Sequence, residues 1–221
     1  MTRTAKVGAL AAVMLLLPGC GATVPGTATW PGEVLQRALL GSADFPPGVQ
    51  YDRVTEQAGT PDGGDGPGSM LSRPKGCANA LTNVIRQSAE RGPGSAAKYD
   101  VGYDGARIRM TVLSWNLDLE KLKAEAQRCE RFEAFFDPDS DGIPIITEPL
   151  AGLGGGALGY QQTMDLKGTR SSVYMGFQNI GRRAVFGVAF PVPNADIEAK
   201  AFLPQTFLQV FVKQANKLGA S

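Results

Sequence analysis

Apolar residues recur at intervals of three and four in four stretches of the chain, which is the spacing that places them on one face of a helix. The last stretch carries an aromatic and aliphatic stripe of Phe207, Phe211 and Leu218. We expect this stripe to face the protein core. The predicted helices cover residues 30–40, 77–90, 118–132 and 204–218.

Apolar and polar residues alternate in most of the remaining segments, as they do in half-buried strands. The strongest signal is Asp104-Gly105, which separates two alternating runs at residues 98–103 and 106–115 and predicts a two-residue hairpin turn. Helices followed by consecutive strands and a final helix predict an α+β domain. We expect an antiparallel sheet of about five or six strands.

The N-terminal pattern is that of an export signal. Residues 1–6 carry two cations and no acid, and residues 7–17 form an apolar run that is too short to span a bilayer. Leu17 and Gly19 precede Cys20 as in the bacterial lipobox, which this segment resembles. The pattern predicts a lipoprotein signal peptide at 1–19, a flexible tether at 20–29 and one domain at 30–218. An ordinary secreted protein with a chance cysteine is the alternative.

Lipidation of Cys20 would determine where the protein works. Two or three acyl chains give a stable anchor, whereas one chain binds a membrane only marginally. We therefore predict palmitate and diacylglyceryl modification of Cys20, and a location on the extracytoplasmic face of the cell membrane. The membrane is the first expected partner.

Composition removes several classes of function. The chain has no histidine, so it lacks Ser-His-Asp and Cys-His nucleophiles and histidine-ligated metal sites. Its 22 basic and 21 acidic residues give a net charge of +1, which is too small an excess of positive charge to indicate nucleic-acid binding. We predict no cofactor. Gly and Pro dominate the segment near 56–70, where we expect a disordered loop.

Two cysteines remain once Cys20 is lipidated, and thiols within reach of each other usually oxidise outside the cytoplasm. Cys77 opens the second predicted helix, and Cys129 lies late in the third. The spacing therefore predicts one disulfide, Cys77–Cys129, that ties helix to helix. A free reactive thiol is the alternative.

An acidic motif at residues 137–148 has two interpretations. Asp137, Asp139, Asp141 and Glu148 occupy the oxygen-ligand positions of an EF-hand loop. However, Pro144 lacks the N–H that normally pairs with a partner loop, and the glycines after Pro149 leave no exiting helix. We favour an acidic hairpin turn and predict no metal; a Ca²⁺ site is the alternative.

A carboxylate-based hydrolase is the enzymatic alternative, since paired carboxylates can cleave glycosides. The acids in question stand in ordinary helix or strand contexts: Asp100, Asp104, Glu130, Glu133 and Asp165. We therefore predict no catalytic residues and no enzymatic activity.

Several short motifs resemble a family of mycobacterial envelope lipoproteins, which are similar to the extracytoplasmic sensor domain of a receptor Ser/Thr kinase. These motifs are the lipobox, the two cysteines, the segment from Asp44 to Gly48 and the Leu150-x-Gly152 turn. The resemblance implies helices packed on one side of the sheet, a shallow cleft and an unidentified ligand. We therefore expect a non-enzymatic ligand-binding or sensor-like module whose ligand is an envelope lipid or glycan. The alternative is an interaction partner of another envelope protein, which would use the surface around the first helix and residues 44–48.

Overall fold

The structure is a computed structural model, and it describes residues 31–54, 70–88 and 94–221. The predicted signal peptide and tether lie outside these residues, as does the predicted loop near 56–70 apart from its last residue. The helices are α1 (Pro31–Ala38), α2 (Ala80–Ser88), α3 (Leu119–Arg128) and α4 (Gln205–Gly219), with 3₁₀ helices at Ser42–Asp44 and Cys77–Asn79.

Strands make up most of the described chain. They are β1 (Gln50–Val54), β2 (Leu71–Arg73), β3 (Ala96–Tyr103), β4 (Ala106–Leu113), β5 (Arg131–Phe135), β6 (Ile143–Pro149), β7 (Leu158–Leu166), β8 (Thr169–Ile180) and β9 (Arg183–Phe190). They form one antiparallel sheet in the order β1-β3-β4-β9-β8-β7-β6-β5-β2. The α+β class is confirmed.

The expected sheet of five or six strands is too small, because the described residues form nine. The two strands that the pattern did not indicate, β1 and β2, lie at the two edges of the sheet. Both are short, and in both every side chain is exposed or half-buried. Neither strand has a fully buried face, so neither carries the apolar alternation that would have predicted it.

The helices pack on both faces of the sheet, so the expectation that they lie on one side is wrong. One face carries α1 and α4, which share a core with alternate residues of β3 and β4 such as Val101 and Met110. The opposite face carries α2 and α3, which bury Leu113 and Phe177. The central strands are apolar on both faces, as Val112 and Leu113 illustrate, and each face therefore needs a cover.

A row of glycines lets α4 approach the sheet closely. Gly159, Gly176 and Gly187 are aligned across β7, β8 and β9. A Cβ at Gly176 would lie 2.8 Å from the ring of Phe211, and one at Gly187 would lie 2.5 Å from the sulfur of Met110. The α4 stripe Phe207, Phe211 and Leu218 is fully buried here, which confirms its place in the core.

The two cysteines form the predicted disulfide, with their Cα atoms 5.4 Å apart. The expected helix-to-helix geometry is wrong. Cys77 is the first residue of the short 3₁₀ helix before α2, whereas Cys129 follows the end of α3 and directly precedes the segment entering β5. Helix α3 ends at Arg128, four residues before the predicted end at residue 132, because the chain turns there into β5. The bridge therefore ties the start of one helical segment to the junction between a helix and a strand.

Candidate functional site

Helices α2 and α3 run side by side in opposite directions and leave a groove of about 210 Å³ between them. Lys121, in the first turn of α3, lies beside Gln87, near the end of α2. At the other end of the groove, Arg128 lies beside the disulfide. The residues that line the α2–α3 groove are Gly76, Ala80, Asn83, Val84, Gln87, Lys121, Glu125 and Arg128.

The groove is built on two amphipathic helices whose inner faces are in the core. Leu81 and Ile85 of α2, together with Leu122 of α3, pack against the sheet. The polar side chains between them therefore project outward into the groove. Asp118 caps α3 by accepting a hydrogen bond from the backbone N–H of Lys121 at 2.9 Å, which determines where the helix starts.

One end of the groove is held by an arginine with several partners. Arg128 donates to Glu125 Oε2 from Nε at 3.0 Å and from Nη2 at 2.6 Å. Its Nη1 lies 3.4 Å from the Lys75 carbonyl oxygen and 3.3 Å from the Cys77 sulfur. The guanidinium thus links α3 to the chain just before α2, and the adjacent disulfide fixes the same junction. This end of the groove is therefore cross-linked by the disulfide and by side-chain hydrogen bonds.

A second charged cluster lies on the same face of the sheet, on β3 and β4. Arg109 donates to Asp100 from Nε at 2.8 Å and from Nη2 at 3.0 Å, and Arg107 donates from Nε at 3.1 Å. Burial raises the pKa of Asp100, but the hydrogen bonds from Arg109 and Arg107 outweigh it and hold the pKa below its ordinary value. Asp100 is a stably ionised centre of this cluster.

The acidic motif forms the predicted turn between β5 and β6. The Asp137 carboxylate accepts from the backbone N–H of Asp139 at 2.9 Å, and the Asp137 carbonyl accepts from Ser140 N at 3.0 Å. Glu148 is paired with Gln161 of β7, further along β6 than the turn. Within the described ranges, no three side chains of Asp, Glu or Cys are grouped as a metal would require.

Each carboxylate considered for hydrolysis has a local partner, and that of Glu130 is Arg131, at 4.0 Å. Asp104 accepts from the backbone N–H of Asn194, and Glu133 pairs with Arg73 at 3.4 Å. Asp165 accepts from the N–H of Gly168 at 2.7 Å in the β7–β8 turn. With Asp100 bound to two arginines, these acids belong to separate contacts on different strands rather than to one cleft.

The surface considered for a protein partner is held against α4. Lys217 Nζ donates to the Asp44 carboxylate at 3.1 Å, and Lys213 Nζ donates to the Asp44 carbonyl. Phe45 packs against the core beside Tyr51 and Tyr99. Asp44 and Phe45 therefore hold this segment against α4 and the core.

The lipidation residue Cys20 lies outside the described residues. In the part of the chain that the structure describes, no helix is long and apolar enough to cross a membrane. Lipid anchoring through Cys20 stays a prediction.

The groove was not predicted from the sequence. Its side chains come from α2 and α3, which are separated by the β3–β4 hairpin, and they form no local motif. Only an indirect sequence feature could have predicted the groove. Each of the two cysteines lies beside an amphipathic helix, so a disulfide between them brings the outer polar residues of the two helices together.

No family model and no curated protein matches this chain. It is similar to the crystal structure of an uncharacterised protein (Rv0999 ortholog) from Mycobacterium smegmatis, with a TM-score of 0.49 and 13% identity over 86% of this chain and 96% of that chain. It is also similar to the extracellular domain of PknH from Mycobacterium tuberculosis, with a TM-score of 0.48 and 10% identity over 86% of this chain and 97% of that chain. The resemblance to a kinase sensor domain and membership of a lipoprotein family both stay predictions.

Proposed function

We propose that this protein is a lipid-anchored, sensor-like module of the cell envelope that binds a ligand in the α2–α3 groove and catalyses no reaction. The groove is the observation that carries the proposal. It is open to solvent, is lined by charged and amide side chains over an apolar floor, and stands on a scaffold fixed by a disulfide. Rigid scaffolds with few convergent polar groups are typical of binding sites.

The extracytoplasmic part of the proposal is supported by the cysteines. A disulfide between residues 52 positions apart is characteristic of exported proteins, since cytosolic thiols are kept reduced. The lipobox-like segment before Cys20 provides the route to the membrane surface. Both features support the same compartment.

The non-enzymatic part is supported by chemistry. The chain has no histidine to act as a base near neutral pH. Glu125 is the carboxylate in the groove, and its Oε2 accepts two hydrogen bonds from Arg128. A carboxylate engaged by a guanidinium in this way is not free to act on a bound molecule, so binding without turnover is the function these residues suit best.

The ligand-binding part is tested with the full chain, purified in a non-ionic detergent and mixed with water-soluble fractions of a mycobacterial cell envelope. Asn83→Trp fills the groove, and Gln127→Trp places the same side chain on an exposed part of α3 that does not line it. At least one fraction should raise the melting temperature of wild type and of Gln127→Trp, but not of Asn83→Trp. No shift with any fraction, or an equal shift in all three proteins, would contradict binding in the groove.

Anchoring is tested separately by labelling cells with radioactive palmitate. The wild-type protein should carry label and remain with the membrane, whereas Cys20→Ser should carry none. An unlabelled wild-type protein would remove the lipid anchor from the proposal and leave the groove untouched.

A further inference from the structure

Both amides that line the α2–α3 groove have their oxygen atoms occupied by cations. Gln87 Oε1 accepts from Lys121 Nζ at 2.7 Å, and Asn83 Oδ1 accepts from the guanidinium of Arg86. Since a cation can only donate, the oxygen of each amide must face it. The NH₂ group of each amide is therefore left to point elsewhere, and neither NH₂ makes a hydrogen bond within the described part of the chain.

The charged side chains of the groove also offer more hydrogen-bond donors than acceptors. The Lys121 ammonium uses one of its three N–H donors on Gln87 and keeps two. Glu125 is the one acidic side chain among the lining residues, and one of its oxygens accepts twice from Arg128. Asp118, next to the groove, accepts from the backbone N–H of Lys121. Two cations and one paired anion give the groove an excess of positive charge.

The shape of the groove limits the size of what it can hold. Its apolar floor is formed by Ala80 and Val84, which are buried. At about 210 Å³ it is smaller than the pockets of about 300–1,000 Å³ that hold drug-sized molecules. The bound part of a ligand must therefore be compact, with acceptor oxygens on one side and a carbon skeleton on the other.

We propose that the α2–α3 groove recognises a carboxylate or phosphate group on a compact ligand, with Lys121, Gln87 and Asn83 as its hydrogen-bond donors. An anion would accept hydrogen bonds from these donors and would also balance the excess positive charge. Such charge-assisted hydrogen bonds are about twice as strong as neutral ones. This inference rests on the proposed function and adds the chemical class of the ligand.

The test is a titration followed by NMR on the full chain, labelled with ¹⁵N in a non-ionic detergent. The probes are glucuronate, glucose 1-phosphate and glucose, which share a ring and differ in the charged group. The side-chain NH₂ signals of Asn83 and Gln87 report directly on the proposed donors. At least one of the two anions should shift both signals in a saturable way, whereas glucose should not, and comparison of the two anions distinguishes carboxylate from phosphate.

Charge reversal on α3 provides a matched pair of variants. Lys121→Glu removes a donor from the groove, and Lys123→Glu makes the same change in charge at an exposed position of the same helix that does not line it. We expect at least a tenfold weaker anion affinity for Lys121→Glu and less than a threefold change for Lys123→Glu. Unshifted NH₂ signals with both anions, equal shifts with glucose, or equal weakening in both variants would overturn the inference. A groove that binds glucose equally well would still satisfy the proposed function, which fails only if the envelope fractions give no groove-dependent stabilisation.

Discussion

The side chain of Gln214 in α4 binds the backbone of Leu40, two residues beyond the end of α1. Gln214 Oε1 accepts from the backbone N–H of Leu40 at 3.0 Å, and Gln214 Nε2 donates to the Ala38 carbonyl at 2.8 Å. Gln214 is fully buried, so these backbone groups have no access to water. A helix end buried in a core needs such a partner, because its last carbonyls and the following N–H groups have none within the helix.

Gln214→Leu should lower the free energy of unfolding by about 2–4 kcal/mol, because the shape is nearly kept while two buried backbone groups lose their partners. Gln209→Leu, at an exposed position of the same helix, should change it by less than about 0.5 kcal/mol. Urea unfolding followed by circular dichroism measures both. Equal effects in the two variants would show that the capping bonds contribute no stability of their own.

Gly176→Ala should be destabilising by about 1–3 kcal/mol, because the new methyl group would lie 2.8 Å from the Phe211 ring and overpack the core. Gly155→Ala is the matched control, since a Cβ there meets nothing within 4 Å. In the background Phe211→Leu, which removes the ring, the cost of Gly176→Ala should fall. Thermal unfolding of wild type, Gly176→Ala, Phe211→Leu and the double variant gives the coupling energy between the two positions. Strictly additive effects would contradict direct contact between the Phe211 ring and the new methyl group.

Loss of the disulfide should cost roughly 4 kcal/mol, which the chain-entropy model assigns to a loop of this length. The double variant Cys77→Ser/Cys129→Ser is compared with wild type in urea, with and without dithiothreitol. Reduction should lower the stability of wild type to that of the variant and leave the variant unchanged. If dithiothreitol has no effect on wild type at equilibrium, the bridge either does not form or does not stabilise the fold.

Much of the fold could be predicted from local chemistry. The Asp104-Gly105 turn connects β3 and β4 as expected, with Tyr103 paired to Ala106 and Gly105 at a positive φ of 95°. The α4 stripe is buried as its period indicates. Both signals lie within a few neighbouring residues, so the chain carries them regardless of what packs nearby.

The features that were not predicted depend on long-range contacts. Strand β1 owes its existence to pairing with β3, and its own residues, with Asp52 and Arg53 at the centre, show no apolar alternation. Helices cover both faces of the sheet because the central strands carry apolar residues on both faces. Alternation of apolar and polar residues identifies a strand with one buried face, so it does not reveal a strand that is buried on both. The disulfide partners were identified correctly because two remaining cysteines can pair in only one way. The elements that carry them depend on where the helices end, which the sequence pattern did not predict correctly.

The candidate site could not be predicted for the same reason. Lys121 and Gln87 are ordinary exposed residues of two amphipathic helices, and they become a pair only when the helices pack in opposite directions. The sequence shows that a disulfide brings these segments together. It does not show which outer faces meet.

Asp100→Asn tests the charged cluster on β3 and β4 and its dependence on pH. Because Arg109 and Arg107 hold the pKa of Asp100 below its ordinary value, the ionised form stabilises the folded state. This stabilisation is fully present above the pKa of an unfolded aspartate, about 3.9, and is lost as the pH falls through the lower pKa of the folded state. Between pH 5 and 7, Asp100→Asn should therefore cost a constant free energy of about 2 kcal/mol.

Below pH 4 the difference between wild type and Asp100→Asn should shrink, because the unfolded wild-type chain then takes up a proton at Asp100, and the folded carboxylate takes one up and loses its ion pairs only at its own lower pKa. Asp52→Asn, which removes an exposed carboxylate from the facing position on β1, is the control and should cost little at any pH. Urea unfolding at five pH values between 2.5 and 7 measures all three proteins. A difference that stays constant down to pH 2.5 would mean that folding does not lower the pKa of Asp100, and that the cost of Asp100→Asn does not come from the charge that faces Arg107 and Arg109.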